Sequence, residues 1–120
     1  MAGEKIDILG ETTFRHPEAT APSDSLPQAQ AALLVRVMKG SVTAADGTAR
    51  RAAVDGLVAA MKTGTSGTAP PGYDAMMIGF APADDPKIAW ALVAEHAGKA
   101  EFEAARLTKE FLTKIKDHLP

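Results

Sequence analysis

The sequence predicts an α+β domain, in which an antiparallel sheet of three or more strands packs against a helix in the N-terminal half and a second helix at the C-terminus. Two segments carry apolar residues at helical spacing, and three short apolar runs lie between them. Segments rich in glycine and proline separate these runs. A length of 120 residues suits a single domain, residues 1–120.

Residues 1–25 are predicted to be a strand and a loop that lead into the domain. Ile6 and Ile8 alternate with polar residues in the segment 4–9, which is the period of a short strand. Residues 15–25 are rich in Pro, Ser, Thr and Asp, a composition typical of loops. The rest of the chain, residues 26–120, is predicted to contain a helix, a strand, a hairpin and a closing helix.

The first helix is predicted to begin after Ser25, whose side chain can cap it. Pro27 is tolerated in a first turn, and Gln28 completes a capping box. Gly40 is expected to end the helix. The residues at helical spacing on its apolar stripe are Ala31, Leu34, Val35, Met38 and Val42.

Three strands are predicted, at residues 57–65, 74–80 and 87–95. The last two are expected to form a hairpin, because a turn of Pro, Ala and Asp at residues 81–86 joins them. The segment 43–56, before the first strand, is small and polar, with glycines as breaks.

The C-terminal segment is predicted to be an amphipathic helix. Arg106 and Glu110, and likewise Glu110 and Lys114, are four residues apart and are expected to face water. The apolar stripe on the opposite side consists of Ala104, Thr108, Phe111, Leu112, Ile115 and Leu119.

Composition excludes several kinds of function. With 13 basic and 15 acidic residues the net charge is −2, so no nucleic-acid partner is predicted. The chain has no cysteine, which rules out a disulfide, a thiolate zinc site and a thiol nucleophile. No metal and no cofactor is predicted. Glu95 and His96 are adjacent on a strand and should point to opposite faces. For Arg50-Arg51 a solvated turn is favoured over an anion site.

The segment Lys62-Thr63-Gly64-Thr65, at the end of the first predicted strand, carries the chemistry of a carboxylate-binding site. An ammonium and two hydroxyls can donate to a substrate carboxylate, and a glycine lets a substrate approach the strand edge closely. The Thr65 N–H could point at the oxygen of a tetrahedral intermediate. The Thr65 carbonyl could pair with a substrate amide, as in strand addition.

This segment and its flanks resemble the C-terminal part of a penicillin-binding protein transpeptidase domain of the class B type, in the superfamily that includes the serine β-lactamases. The resemblance covers residues 33–115. Met61 stands where the family usually has glycine, and its larger side chain predicts an altered strand edge. The matching pieces are Leu34–Gly40, Gly47–Ala52, Lys62–Thr65, Tyr73–Pro82, Asp85–Ala89 and Val93–Glu95.

The resemblance implies a C-terminal subdomain with a partial transpeptidase fold, in which Lys62, Thr63, Gly64 and Thr65 bind substrate. It also implies a parent D,D-transpeptidase at the outer face of the bacterial cytoplasmic membrane, acting on peptidoglycan stem peptides and inhibited by β-lactams. The family's nucleophile lies in a Ser-x-x-Lys motif, and a second motif is Ser-x-Asn. No serine of this chain has a lysine three residues on, and the chain contains no asparagine. The sequence therefore offers no catalytic residue, and the chain alone is predicted to be inactive.

Two functional hypotheses remain open at this point. In the first, the chain is a fragment that works with the remainder of a transpeptidase domain. In the second, it is a stand-alone, non-catalytic module that uses the same sheet for binding or self-assembly, which allows a homo-oligomer.

Overall fold

The computed structural model describes residues 26–120, and it confirms the predicted α+β class. Two short 3-10 helices, Arg50–Ala52 and Lys116–His118, accompany the main elements. The strand predicted at residues 4–9, the loop at 15–25 and the cap at Ser25 lie outside the described residues. The main elements, in chain order, are α1 (Gln28–Thr43), β1 (Ala60–Thr68), β2 (Gly72–Ala81), β3 (Ile88–Ala94) and α2 (Glu103–Ile115).

The three strands form one antiparallel sheet in the order β1-β2-β3, so the predicted hairpin of the last two strands is confirmed. The first strand begins at Ala60 rather than at residue 57 and continues to Thr68 rather than ending at Thr65. Its last three residues are exposed but keep their register with β2, from Ser66 opposite Asp74 onward. Pairing between backbones therefore extends this strand where composition predicted a turn.

One face of the sheet, here called the closed face, is covered by α2, which contacts β2 and β3. Met77 of β2 and Leu112 of α2 are fully buried there and belong to the hydrophobic core. The apolar stripe predicted for the last helix faces this core. The sheet residues whose side chains point to the closed face, by register, are Met61, Thr63, Thr65, Ala75, Met77, Gly79, Trp90, Leu92 and Ala94.

Close packing on the closed face depends on Gly79. A Cβ at this position would collide with the indole ring of Trp90 and would lie 2.8 Å from the carbonyl oxygen of Ala60. Without that Cβ, the indole lies directly against β2, and it also packs against the ring of Phe111 on α2, with ring centroids 6.1 Å apart. The aromatic pair connects the sheet to the helix.

The opposite face, here called the open face, has no buried residue among its central positions. Ile78 is 53% exposed and Val93 is 63% exposed, although both are large and apolar. No element of residues 26–120 covers these two side chains. The central residues of the open face, by register, are Lys62, Gly64, Met76, Ile78, Ala91 and Val93.

Within residues 26–120, the one buried position of helix α1 lies near its C-terminal end. Val42 is buried, whereas Leu34, which the spacing places on the apolar stripe, is 50% exposed. The helix also runs three residues beyond Gly40, the predicted end. Gly40 keeps the helical conformation, and the Ser41 hydroxyl anchors the last turn by donating to the Met61 carbonyl. At the other end the N-cap is Pro27, which offers no side-chain hydrogen bond.

Candidate functional site

The segment Lys62-Thr63-Gly64-Thr65 lies on β1, at the edge of the sheet. Among the described residues β1 pairs only with β2, which leaves its other edge without a neighbouring strand. Lys62 and Thr65 are exposed, and Thr63 and Gly64 are half-buried. All four residues are thus accessible from the free edge of β1.

The side chains of the segment do not share one face of the sheet. Lys62 and Gly64 belong to the open face, whereas Thr63 and Thr65 belong to the closed face. The two sets flank the same stretch of edge backbone. A ligand lying along the edge therefore meets the ammonium on one side and the two hydroxyls on the other.

The backbone direction along the free edge follows from the contact between α1 and β1. Ser41 Oγ donates to the Met61 carbonyl at 2.6 Å, so this carbonyl points away from β2. Backbone groups alternate with a period of two along a strand, and the N–H and C=O groups of Thr63 and Thr65 therefore also point to the free edge. Consistent with this, Lys62 Nζ donates to the Thr63 carbonyl at 2.8 Å. The edge thus presents Thr65 N–H and C=O, the two groups that strand addition requires.

Both threonine hydroxyls contact residues that were not predicted as site residues. Thr63 Oγ1 donates to Thr48 Oγ1 at 2.8 Å, and Thr65 Oγ1 accepts from the Ala100 N–H at 3.1 Å. A hydroxyl has one proton and two lone pairs, so Thr65 keeps its proton for a ligand. Thr48 lies before β1 and Ala100 follows β3. No local pattern in the sequence signals either contact.

Met61, the residue that departs from the family pattern, is buried in the core on the closed face. It lies opposite Gly79 in the sheet register. Its long side chain fills core volume. The thioether therefore does not lie over the free edge that the substitution was expected to alter.

Other polar residues singled out in the sequence lie elsewhere. The His96 N–H donates to Asp74 Oδ1 at 2.9 Å, which fixes the chain at the end of β3. The guanidinium of Arg51 lies 4.9 Å from the centre of the Phe102 ring, in a cation–π contact. Nearby on α2, the hydrogen bonds that Arg106 donates to Glu103 and to Glu110 raise the pKa of Arg106.

Two negative findings apply to residues 26–120 alone. No three His, Asp or Glu side chains in this part of the chain lie together in a group that could hold a metal ion. Neither of its helices is long and apolar enough to span a bilayer.

The comparison with solved structures identifies similar folds. The chain is 31% identical to the D,D-transpeptidase domain of a peptidoglycan glycosyltransferase from Eggerthella lenta, with a TM-score of 0.58 over 70% of this chain and 19% of that one. It is 21% identical to the transpeptidase domain of the FtsI4 D,D-transpeptidase from Legionella pneumophila, with a TM-score of 0.65 over 76% of this chain and 37% of that one. The chain thus corresponds to well under half of either structure. No curated protein matches it significantly.

The comparison with protein families gives a match over most of the chain. The family described as penicillin binding protein transpeptidase domain matches residues 9–116, which extends the resemblance seen at residues 33–115 toward the N-terminus. The matched range includes the edge strand and both helices described above. The chain therefore belongs to the penicillin-binding protein transpeptidase domain family.

Proposed function

We propose that this chain is the C-terminal part of a peptidoglycan D,D-transpeptidase and that Lys62-Thr63-Gly64-Thr65 is its substrate-binding edge. The observation that carries the proposal is the edge of β1, which has no neighbouring strand among residues 26–120 and along which Lys62 and Thr65 are both exposed. A stem peptide ending in D-Ala-D-Ala pairs with the Thr65 carbonyl through its amide. Its terminal carboxylate accepts hydrogen bonds from Lys62 and the threonine hydroxyls.

The edge of β1 also suits the chemical step of the parent enzyme. Acyl transfer passes through a tetrahedral intermediate whose oxygen carries negative charge. The outward-facing Thr65 N–H supplies one of the donors that stabilise this oxygen. Lys62 adds positive charge beside it. Both contributions depend on the edge remaining free of a fourth strand.

The acylated serine and its base come from elsewhere, since this sequence has neither motif. The remainder of a transpeptidase domain is therefore the first partner of this chain. The open face is the surface it covers, because Ile78 and Val93 are apolar and exposed there. The parent enzyme acts at the cell envelope and binds β-lactams at the same edge.

A binding experiment tests the edge itself. The chain is titrated with N-acetyl-D-Ala-D-Ala while the backbone amide signals of Thr63 and Thr65 are followed by NMR. Lys62→Ala should weaken binding about tenfold, since a charge-assisted hydrogen bond contributes about 1.5 kcal/mol or more. Lys109→Ala removes an equal charge from the exposed surface of α2 and should leave the affinity unchanged. Shifts confined to residues outside β1 would contradict the proposal.

A second experiment tests the prediction that the chain alone is inactive. The chain and the Legionella transpeptidase domain, as positive control, are incubated with a labelled penicillin and analysed by intact mass. The control should gain the mass of the penicillin and this chain should not. A penicilloyl adduct on this chain would show that it contains a nucleophile and would refute its assignment as an inactive part.

Self-association is a second candidate function, favoured by the same exposed apolar residues on the open face. If two copies bury this face against each other, light scattering should show a dimer, and the double variant Ile78→Thr with Val93→Thr should be monomeric. A monomer at high concentration for the unaltered chain would exclude this candidate. It would leave the remainder of a transpeptidase domain as the occupant of the open face.

A further inference from the structure

Thr48 lies in the loop between α1 and β1, and two contacts with Ser41 fix that loop against the helix. The Ala49 N–H donates to the Ser41 carbonyl at 2.9 Å. A Cβ at Gly47 would collide with the same carbonyl oxygen, so only glycine allows the loop to approach this closely. The side chain of Ser41 is bonded to β1 at Met61. A single residue of α1 therefore sets the position of the loop relative to the strand.

The consequence of this arrangement is the hydrogen bond between Thr48 and Thr63. Thr63 Oγ1 donates to Thr48 Oγ1 at 2.8 Å, which uses the only proton of the Thr63 hydroxyl. A carboxylate at the free edge needs that proton. Both hydroxyls can rotate, and rotation reverses the bond so that Thr48 donates to Thr63. Thr63 can then donate to the carboxylate without losing its bond to Thr48.

We propose that Thr48 is a positioning residue of the carboxylate site and holds the Thr63 side chain in one rotamer. When a carboxylate binds, Thr48 donates a hydrogen bond to Thr63, and Thr63 donates one to the carboxylate. Successive hydrogen bonds that end on an anion polarise one another. The hydrogen bond from Thr48 therefore strengthens the one that Thr63 donates to the carboxylate. This inference has two parts. The ligand part, that Thr48 becomes a donor when a carboxylate binds, rests on the proposed function. The rotamer part, that Thr48 holds the Thr63 side chain in one rotamer, does not.

The rotamer part is tested without ligand. Three-bond couplings from the Thr63 methyl carbon to the backbone nitrogen and carbonyl carbon report its χ1 angle. The unaltered chain and Thr48→Ser should show a single rotamer. Thr48→Val, which keeps the shape and removes the hydroxyl, should show averaged couplings. Thr113→Val, on the exposed surface of α2, is the matched control and should leave Thr63 unchanged. A single Thr63 rotamer in Thr48→Val would overturn this part.

The ligand part is tested by comparing N-acetyl-D-Ala-D-Ala with its C-terminal amide. Thr48→Val should weaken binding of the carboxylate about tenfold, and it should leave binding of the amide unchanged. Thr48→Ser should restore the affinity to within about twofold. Equal carboxylate affinity in Thr48→Val and the unaltered chain would refute the donor role. If the unaltered chain binds neither compound, the proposed function and the donor role fall together, and the couplings still decide whether Thr48 positions Thr63.

Discussion

The closed and open faces of the sheet carry side chains of similar apolar character in very different surroundings. On β2, Met77 is fully buried beneath α2, whereas the next residue, Ile78, is 53% exposed. Alternation along a strand normally pairs an apolar face with a polar one. Here both faces are apolar in their central part, and only one is covered within residues 26–120. The difference indicates that the sheet is suited to packing on both faces, as expected of one part of a larger domain.

The largest expected effect separates the two faces directly. Met77→Ala should lower the free energy of unfolding by about 3 kcal/mol, because it removes a core side chain and leaves a cavity. Ile78→Ala, one residue along the same strand, should cost no more than about 1 kcal/mol, the range of strand propensity. Urea unfolding followed by circular dichroism measures both variants. Equal losses would mean that the open face is covered in solution.

The next effect concerns the closed face alone. Gly79→Ala should destabilise the protein by about 2 kcal/mol, because the added methyl group displaces Trp90 from the sheet. Gly40→Ala is the matched control: it lies within α1, and a Cβ added there would meet no atom within 4 Å outside the neighbouring residues and the backbone of the same helix. It should stabilise the protein by up to about 1 kcal/mol through helix propensity. Effects of the same sign in both variants would contradict this account of Gly79.

The sequence predicted the packing of α2 better than that of α1, for a physical reason. The stripe of α2 follows from a local period of 3.6 residues, and its members face the core as predicted. The same period placed Leu34 on an apolar stripe of α1, yet Leu34 is half exposed. Periodicity identifies an apolar side but not the element that covers it.

The candidate site shows a second limit of sequence reasoning. The residue types at Lys62-Thr63-Gly64-Thr65 predicted a carboxylate-binding segment at the edge of a strand, and the structure places this segment on the edge strand β1. The contact of Thr48 with Thr63 joins residues 15 positions apart and depends on the close approach of Gly47 to Ser41. Such a contact arises from loop geometry, which neither composition nor spacing encodes.

A smaller effect is expected where α1 meets the edge of the sheet. Ser41→Ala removes the hydroxyl that donates to the Met61 carbonyl and should cost about 1 kcal/mol. Thr43→Val is the control, since its hydroxyl bonds only to the Lys39 carbonyl one turn earlier in the same exposed helix end. Amide exchange at β1 should quicken in Ser41→Ala and not in Thr43→Val. Unchanged amide exchange in both variants would show that the hydrogen bond from Ser41 to the Met61 carbonyl does not stabilise β1.

The smallest expected effect lies at the surface, where α1 meets the turn between β2 and β3. Lys39 Nζ and Asp84 Oδ1 are 2.8 Å apart, but the Asp84 side chain is 79% exposed. Water screens such a pair, so Asp84→Asn should lower the free energy of unfolding by at most about 0.5 kcal/mol. This loss should vanish in about 1 M salt, where the Debye length is about 3 Å. Asp85→Asn, in the adjacent pair with Lys87, is the control of equal charge that does not involve α1. If Asp84→Asn alone costs more than about 1 kcal/mol, the pair contributes more than an exposed ion pair does. The attachment of α1 to the sheet would then depend on this turn as well as on Ser41.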